Sequence, residues 1–233
     1  MITLLSIDTP FPPVDQALKT PDGLLALGGE LSVHRLLDAY RQGVFPWFNA
    51  GDPILWWSPS SRMVIVPEEI KVSRSLHKVL RNKNYEIRTD SAFEQVMRAC
   101  AAPRCGQHAG TWIHDNMIAA YVQLHRVGMA HSVETWINGR LAGGLYGVSI
   151  GRMFYGESMF SHVTDASKIA LVHLARQLQR WNYGMIDCQL STVHLSSLGA
   201  REIPRVKFMN DLKELVRYPD SPPRWRFDYE FAA

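Results

Sequence analysis

The sequence predicts an α+β protein, a mixed β-sheet flanked by helices and preceded by a small, loop-rich N-terminal α/β domain. Three observations carry this. Residues 131–148 read as a β-hairpin: His131–Ile137 and Arg140–Val148 are apolar-rich runs joined by Asn138-Gly139, a dipeptide suited to a tight two-residue turn. Residues 153–189 read as strand, helix, strand, a crossover that lays two parallel strands side by side. The stretch before residue 62 is instead crowded with prolines, glycines and aromatics. The expected division is therefore 1–62 and 63–233.

Taken in order, Phe11-Pro12-Pro13 and Gly28-Gly29 mark turns, and Ser32 caps a helix over 33–42 that stops at Gly43. Residues 43–59 hold three of the seven tryptophans, with two phenylalanines and three prolines. Such a segment either staples a small domain or offers a flat surface on which a nucleobase stacks. Residues 70–89 change character. Lys71, Arg74, Lys78, Arg81, Lys83 and Arg88 are opposed only by Glu86, and 73–82 has a helical pattern. Lys71, Arg74, Lys78 and Arg81 are thus candidates for phosphate-backbone contact, against the plainer reading of a solvated helix face.

Ser91-Ala-Phe-Glu94 reads as a capping box opening a helix to Ala101. A loop over 103–110 follows, then a helix over 115–126 ending at Gly128. Cys100, Cys105, His108 and His114 lie close in sequence, but the spacing between the cysteines is unusual for zinc and no second pair follows, so no metal site is assigned. After the hairpin, a strand over 153–158 leads to Thr164-Asp165-Ala166-Ser167, polar residues suited to begin a helix. Ile169, Leu171, Val172, Leu174, Ala175 and Leu178 give that helix a buried stripe. Gly184 is expected to end it in a left-handed conformation. The strand Met185-Ile186 then delivers Asp187, Cys188 and Gln189. A short helix over 192–198 and a final one over 207–216 follow. The tail from Tyr218 alternates aromatics at Trp225, Phe227, Tyr229 and Phe231, a pattern expected of a strap across the domain.

A chain of 233 residues with 46% hydrophobic content can bury a substantial core. No uncharged apolar run approaches the roughly 18 residues of a membrane span, and no basic residue precedes Lys19 as a signal peptide would require. Three cysteines do not suggest a disulfide framework. The expectation is a soluble cytoplasmic protein with no membrane association. A net charge of +3 is too small to imply nucleic acid by itself.

The crossover brings Glu157 near Asp187 and Gln189, at strand ends where polar groups are well placed for chemistry. Antiparallel strands followed by such a crossover suggest the acetyltransferase-like (GNAT) architecture. The segment before its helix, 161–167, has no glycine to cradle a pyrophosphate, so coenzyme A is not expected. The match then becomes specific. Gly23-Leu-Leu-Ala-Leu-Gly-Gly29, Gly43-Val-Phe-Pro-Trp-Phe48, Asp52-Pro-Ile-Leu-Trp-Trp-Ser-Pro59, Gly110-Thr-Trp-Ile113, Gly156-Glu-Ser-Met-Phe-Ser161 and Ile186-Asp-Cys-Gln189 closely resemble the leucyl/phenylalanyl-tRNA–protein transferase family, collinearly from about residue 10 to 216. So do Ser197-Leu-Gly-Ala200 and Glu202-Ile-Pro-Arg205.

The resemblance implies transfer of leucine, phenylalanine or, less readily, methionine from aminoacyl-tRNA to proteins beginning with arginine or lysine, marking them for N-end rule degradation. It implies a GNAT-like catalytic domain, no cofactor and no metal. Carried over by motif, Trp47 and Trp112 hold the terminal adenosine, while Leu145, Phe154, Met159 and Leu174 shape the pocket for the transferred side chain. Glu157 contacts the donor, and Asp187 and Gln189 serve the attacking amine. By residue type alone Leu145, Phe154, Met159 and Leu174 are equally core. The alternatives are another aminoacyl-tRNA-dependent peptide ligase and a non-catalytic tRNA-binding protein.

Overall fold

The computed structural model describes residues 2–82, 84–102 and 112–228. Four short strands, β1 (Thr3–Leu5), β2 (Leu24–Gly28), β3 (Phe45–Pro46) and β4 (Leu55–Trp57), form a first sheet in the order β1-β2-β4-β3. Strands this short need side chains to hold them. Trp56 is fully buried, meets Phe11 edge-on with centroids 4.9 Å apart, and donates its Nε1–H to the Gly28 carbonyl at 2.8 Å. Helix α1 (Val33–Arg41) begins as expected at Ser32, whose hydroxyl accepts from the Arg35 N–H at 3.1 Å. It buries Leu36, Ala39 and Tyr40.

The second sheet holds seven strands: β5 (Ser61–Ile65), β6 (Glu86–Thr89), β7 (Ala130–Ile137), β8 (Arg140–Ile150), β9 (Met153–Ser161), β10 (Met185–Gln189) and β11 (Arg201–Pro204). Their order is β11-β5-β10-β9-β8-β7-β6. The β7–β8 hairpin turns at Asn138 and Gly139, both at positive φ, as the dipeptide requires. Strands β9 and β10 run parallel, with Ile186 opposite Phe154 and Asp187 opposite Tyr155. Helix α5 (Ala166–Arg180) makes the crossover and packs on β7 and β8.

Alternation along the strands splits the core in two. Val133, Leu145, Phe154 and Ile186 join α5 and α2 (Arg74–Asn82) in one apolar cluster. Tyr146, Tyr155 and Met185 join α1, α3 (Phe93–Ala101) and α4 (Asp115–Arg126) in the other. Two glycines permit close approach. A Cβ on Gly143 would lie 2.6 Å from that of Ala166, and one on Gly147 would lie 2.6 Å from the Phe154 ring, beside the register shift of β8 against β9. Helices α6 (Val193–Ser197) and α7 (Arg205–Leu215) flank β11 and precede the C-terminal strap. Trp225 of the C-terminal strap is buried and stacks on His131, centroids 4.1 Å apart. Among the described residues no helix is long and apolar enough to cross a membrane.

Several local expectations are corrected. Ser91 and Glu94 form no capping box. The Ser91 hydroxyl and the Ser91 and Ala92 N–H groups all donate to Glu134, a fully buried carboxylate from β7, while Glu94 pairs with Arg98 at 2.7 Å. A tertiary acceptor thus replaces the local one. Asp165 does not cap α5 either: it holds Lys168 at 2.8 Å, and the Ser167 N–H donates to Ser161 at 3.1 Å. The left-handed residue after α5 is Asn182, not Gly184. Gly184 serves packing instead, since a Cβ there would lie 2.5 Å from the Leu215 side chain. Strand β9 runs on to Ser161, β11 was not expected, and α7 starts at Arg205. Cys105 and His108, weighed above for metal, and Tyr229 and Phe231 of the tail lie outside the described residues.

Candidate active site

A cavity of about 750 Å³ opens where β9 and β10 end. Its walls include Trp47, Trp112, Leu145, Phe154, Met159, Leu174, Glu157 and Gln189. Eight of the nine residues expected in the donor, pocket and catalytic set therefore converge on one space. The ninth, Asp187, does not line it.

The aromatic side comes from the first sheet and the segment before α4. Trp47 follows β3; its carbonyl accepts the Trp57 Nε1–H at 2.7 Å, and its side chain is 41% exposed, unusual for so large an apolar group. Trp112 is half-buried against the core. Leu145, Phe154 and Leu174 are buried and belong to the α5 cluster, with Met159 packed against it. They are core and cavity wall at once, because the cavity cuts into that face of the sheet. Trp225 backs Phe154, with ring centroids 5.7 Å apart.

The polar floor joins Glu157 to Gln189, as the crossover implied, and adds two tyrosines that the sequence did not point to. Glu157, only 9% exposed, accepts from Tyr40 at 2.6 Å, Tyr121 at 3.1 Å and the Gln189 Nε2 amide at 3.0 Å. Burial pushes its carboxyl up to about 7, against the opposing pull of the two tyrosine hydrogen bonds. Burial first, then the charge of Glu157, holds both tyrosines well above their ordinary value, so they act here as hydroxyl donors. With Nε2 on Glu157, the carbonyl oxygen of Gln189 is the end of the amide left to accept.

Asp187 is fully buried and faces the other way. Arg62 of β5 grips it through Nη2 to Oδ2 and through Nε to Oδ1 at 3.2 Å. The guanidinium also donates to the Gly43 carbonyl at 2.8 Å and lies between the Phe45 and Phe208 rings, 4.8 and 4.5 Å from their centroids. The free Asp187 oxygen capacity accepts the Gln189 backbone N–H at 2.8 Å. Gln189 sits at φ 61°, where β10 shifts register against β5, a conformation costly for a residue with a Cβ. Asp187 thus tethers the backbone at the bulge that carries Gln189. Its carboxylate is paired with a guanidinium and a backbone N–H and does not line the cavity. The available signals were weak. Arg62 opens an apolar run, where a cation needs a buried partner, and Tyr40 and Tyr121 fall on buried helix faces.

Lys71, Arg74, Lys78 and Arg81 are all exposed, the last three on α2. They do not line the cavity; the Lys71 N–H donates to the Leu198 carbonyl at 2.9 Å, just after α6, whose His194 and Leu195 are cavity walls.

Known proteins match this sequence over nearly its whole length. The family model described as leucyl/phenylalanyl-tRNA protein transferase matches residues 64–213, and that of the same family's N-terminal domain matches 29–60. A leucyl/phenylalanyl-tRNA–protein transferase from Nitrosomonas europaea is 65% identical over 99% of this chain and 98% of its own length. One from Chromobacterium violaceum is 62% identical over 98% of both chains. Among solved structures, a conserved protein of unknown function from Bacteroides thetaiotaomicron overlaps 79% of this chain and 67% of its own, at 12% identity and a TM-score of 0.45. The chain belongs to the leucyl/phenylalanyl-tRNA–protein transferase family of aminoacyltransferases.

Proposed function

We propose that this enzyme moves leucine or phenylalanine, and less readily methionine, from aminoacyl-tRNA to the α-amine of proteins beginning with arginine or lysine, marking them for N-end rule degradation. We assign the chemistry to a GNAT-like domain over 63–233 behind a smaller unit over 1–62. The reading is carried by one observation: the cavity joins two tryptophans, an apolar pocket and a glutamine whose amide is locked by a buried carboxylate.

In this account Trp47 and Trp112 enclose the terminal adenine, and the transferred side chain enters between Leu145, Phe154, Met159 and Leu174. Rejection of isoleucine and valine comes from steric clash near Cβ, since missing contact alone discriminates by only about 1–3 kcal/mol. Lys71, Arg74, Lys78 and Arg81 hold backbone phosphates leading away from the cavity mouth. Glu157, besides fixing Gln189, presents its carboxyl edge to the donor's amino group. The amine lone pair attacks the ester carbonyl carbon; the new C–N bond forms, the C–O bond to the ribose breaks, and the amine proton ends on the ribose oxygen. The acceptor α-amine has a pKa of about 7.7–8.0, so roughly a tenth is neutral near pH 7 and no strong base is needed. Positioning by the Gln189 carbonyl oxygen, which accepts an amine N–H, is the larger contribution.

The reading is tested by mixing Leu-tRNA with peptides beginning Arg, Lys or Ala and following peptide mass. Addition of leucine to the first two alone is expected. Binding of Leu-tRNA without product in any arm, or leucine added equally to the Ala peptide, contradicts it.

Two further outcomes follow from the geometry. Trp47→Ala and Trp112→Ala are each expected to weaken a minimal aminoacyl-adenosine donor by about 1–3 kcal/mol, with phenylalanine restoring part of the loss; KM for that donor is the readout. Alanine variants that lose their fold would make these rings structural. The second concerns pH. Above about 7 the Glu157 carboxylate is ionised and accepts the Gln189 amide; below, its proton competes for the same position. Single-turnover rate is therefore expected to rise in two limbs, one near 7 and one set by the amine. Glu157→Gln should delete the lower limb and leave the upper. The sign for stability is opposite. A carboxyl raised from 4.5 favours the folded state below its unfolded value, and this contribution is lost as pH rises through about 7.

A further inference from the structure

A second cavity, of about 680 Å³, lies at the other end of the crossover from Gln189, beside the start of β9 and the end of α5. Four arginines line it: Arg152, Arg180, and Arg224 and Arg226 from the strap. Arg180 pairs with Asp228 at 3.0 Å. Asp220 accepts the Gly151 N–H at 2.9 Å rather than a cation. Among the described residues, Arg152, Arg224 and Arg226 have no carboxylate partner. Arg152 instead lies 3.7 Å over the ring of Tyr218, an exposed aromatic on the same wall.

The strap is firmly anchored between its two arginines. The Trp225 N–H donates to Asp90 at 3.1 Å, its indole donates to Ser221 at 3.0 Å, and Asp228 accepts from Gln177 at 2.8 Å. Arg224 and Arg226 of the strap and Arg152 of the β8–β9 turn line one cavity without a carboxylate partner, so their like charges favour an anion of matching spacing.

The groove lies at the C-terminal end of α5, whose other half lines the catalytic cavity through Ser167, Leu171 and Leu174. Lys71 donates its N–H to Leu198, just after the cavity-lining α6, and Arg74, Lys78 and Arg81 follow on α2. The far end of α2 is tied to α5 by Tyr85, whose hydroxyl donates to the Leu80 carbonyl at 3.2 Å and lies 3.0 Å from His173 Nε2. One to two turns further along α5, Gln177 and Arg180 meet Asp228 of the strap. The fifteen residues of α5 span about 22 Å at ~1.5 Å per residue. Duplex nucleic acid carries one charge per roughly 1.7 Å, so that length exposes several phosphates. We infer that the groove of Arg152, Arg224 and Arg226 is a second phosphate-contact surface, which takes the tRNA backbone beyond the part held by α2. It rests on the tRNA-dependent transfer proposed above.

The test compares wild type with the triple variants Arg152→Gln/Arg224→Gln/Arg226→Gln and Arg152→Lys/Arg224→Lys/Arg226→Lys. Deacylated tRNA binding and Leu-tRNA KM are followed from 50 to 200 mM salt, beside KM for an aminoacyl-adenosine donor. The glutamine variant is expected to bind tRNA about tenfold more weakly and to flatten the slope of log affinity against log salt by about 2 to 3. The ratio of tRNA KM to minimal-donor KM should rise by the same tenfold, and the lysine variant should keep the wild-type slope. Unchanged tRNA affinity and slope would overturn the inference, as would equal losses with both donors, which mark a structural role. So would binding of an acidic polyglutamate peptide that falls with the glutamine variant while tRNA binding does not. A wild type that binds tRNA but never forms a peptide product contradicts the proposed function instead and leaves the groove to be decided by the binding data.

Discussion

Replacing Arg62 with methionine is expected to lower folding stability by about 3–5 kcal/mol, because it strands the fully buried Asp187 carboxylate without its partner. Methionine can still fill the space between Phe45 and Phe208, so the loss reports charge rather than a cavity. The double variant Arg62→Met/Asp187→Leu removes both charges and should recover most of the stability, since a buried ion pair is roughly matched by apolar residues of similar volume. It should not recover activity. The Gln189 N–H loses its acceptor, and the left-handed bulge that aims the side chain loses its tether. Urea denaturation together with single-turnover transfer separates the two effects. Recovery of both stability and rate in the double variant would show that the pair serves folding alone.

Gln189→Ala removes the group that the proposed mechanism sets against the acceptor amine. Single-turnover transfer is expected to fall by about 10²-fold, the scale of a lost positioning contact, with tRNA KM within about twofold of wild type. The side chain's amide touches Glu157 but no apolar wall depends on it, so melting temperature should hardly move. A rise in tRNA KM that matched the fall in rate would place Gln189 in donor binding instead.

What could be read from the sequence was what neighbouring residues decide among themselves. Asn138-Gly139 sets its turn through its own backbone preference, and the stripe from Ile169 to Leu178 needs only helical periodicity. The N-terminal strands, of two to five residues, are too short for alternation to register, and β11 ends on Pro204. The convergence of Trp47, Trp112, Phe154 and Gln189 was legible only through motif resemblance, because they come from separate elements. Beneath them the approach of Glu157 to Gln189 was legible from the crossover, but the tyrosines and Arg62 were not. Tyr40, Tyr121 and Glu157 meet across 81 and 36 residues of chain, and Arg62 reaches Asp187 across 125. Glu134 took over the cap expected of Ser91 and Glu94 in the same way, through tertiary contact. Nothing local marks Gln189 for a positive φ; that strain is imposed by the bulge and its tether to Asp187.

The central claim is that Gln189 orients the amine and does not take its proton. Gln189→Glu tests it most directly, because it puts a true base at the same position. A carboxylate there lies about 3 Å from Glu157, where two like charges raise one another's pKa and the amide donor to Glu157 is gone. Single-turnover transfer from Leu-tRNA to an Arg-starting peptide is measured from pH 6 to 9 for both proteins. The account predicts that the glutamate variant is slower throughout, with the deficit persisting at pH 9, where the amine is already neutral. Transfer by Gln189→Glu at or above the wild-type rate near pH 7 would contradict it and make proton abstraction the role of this position.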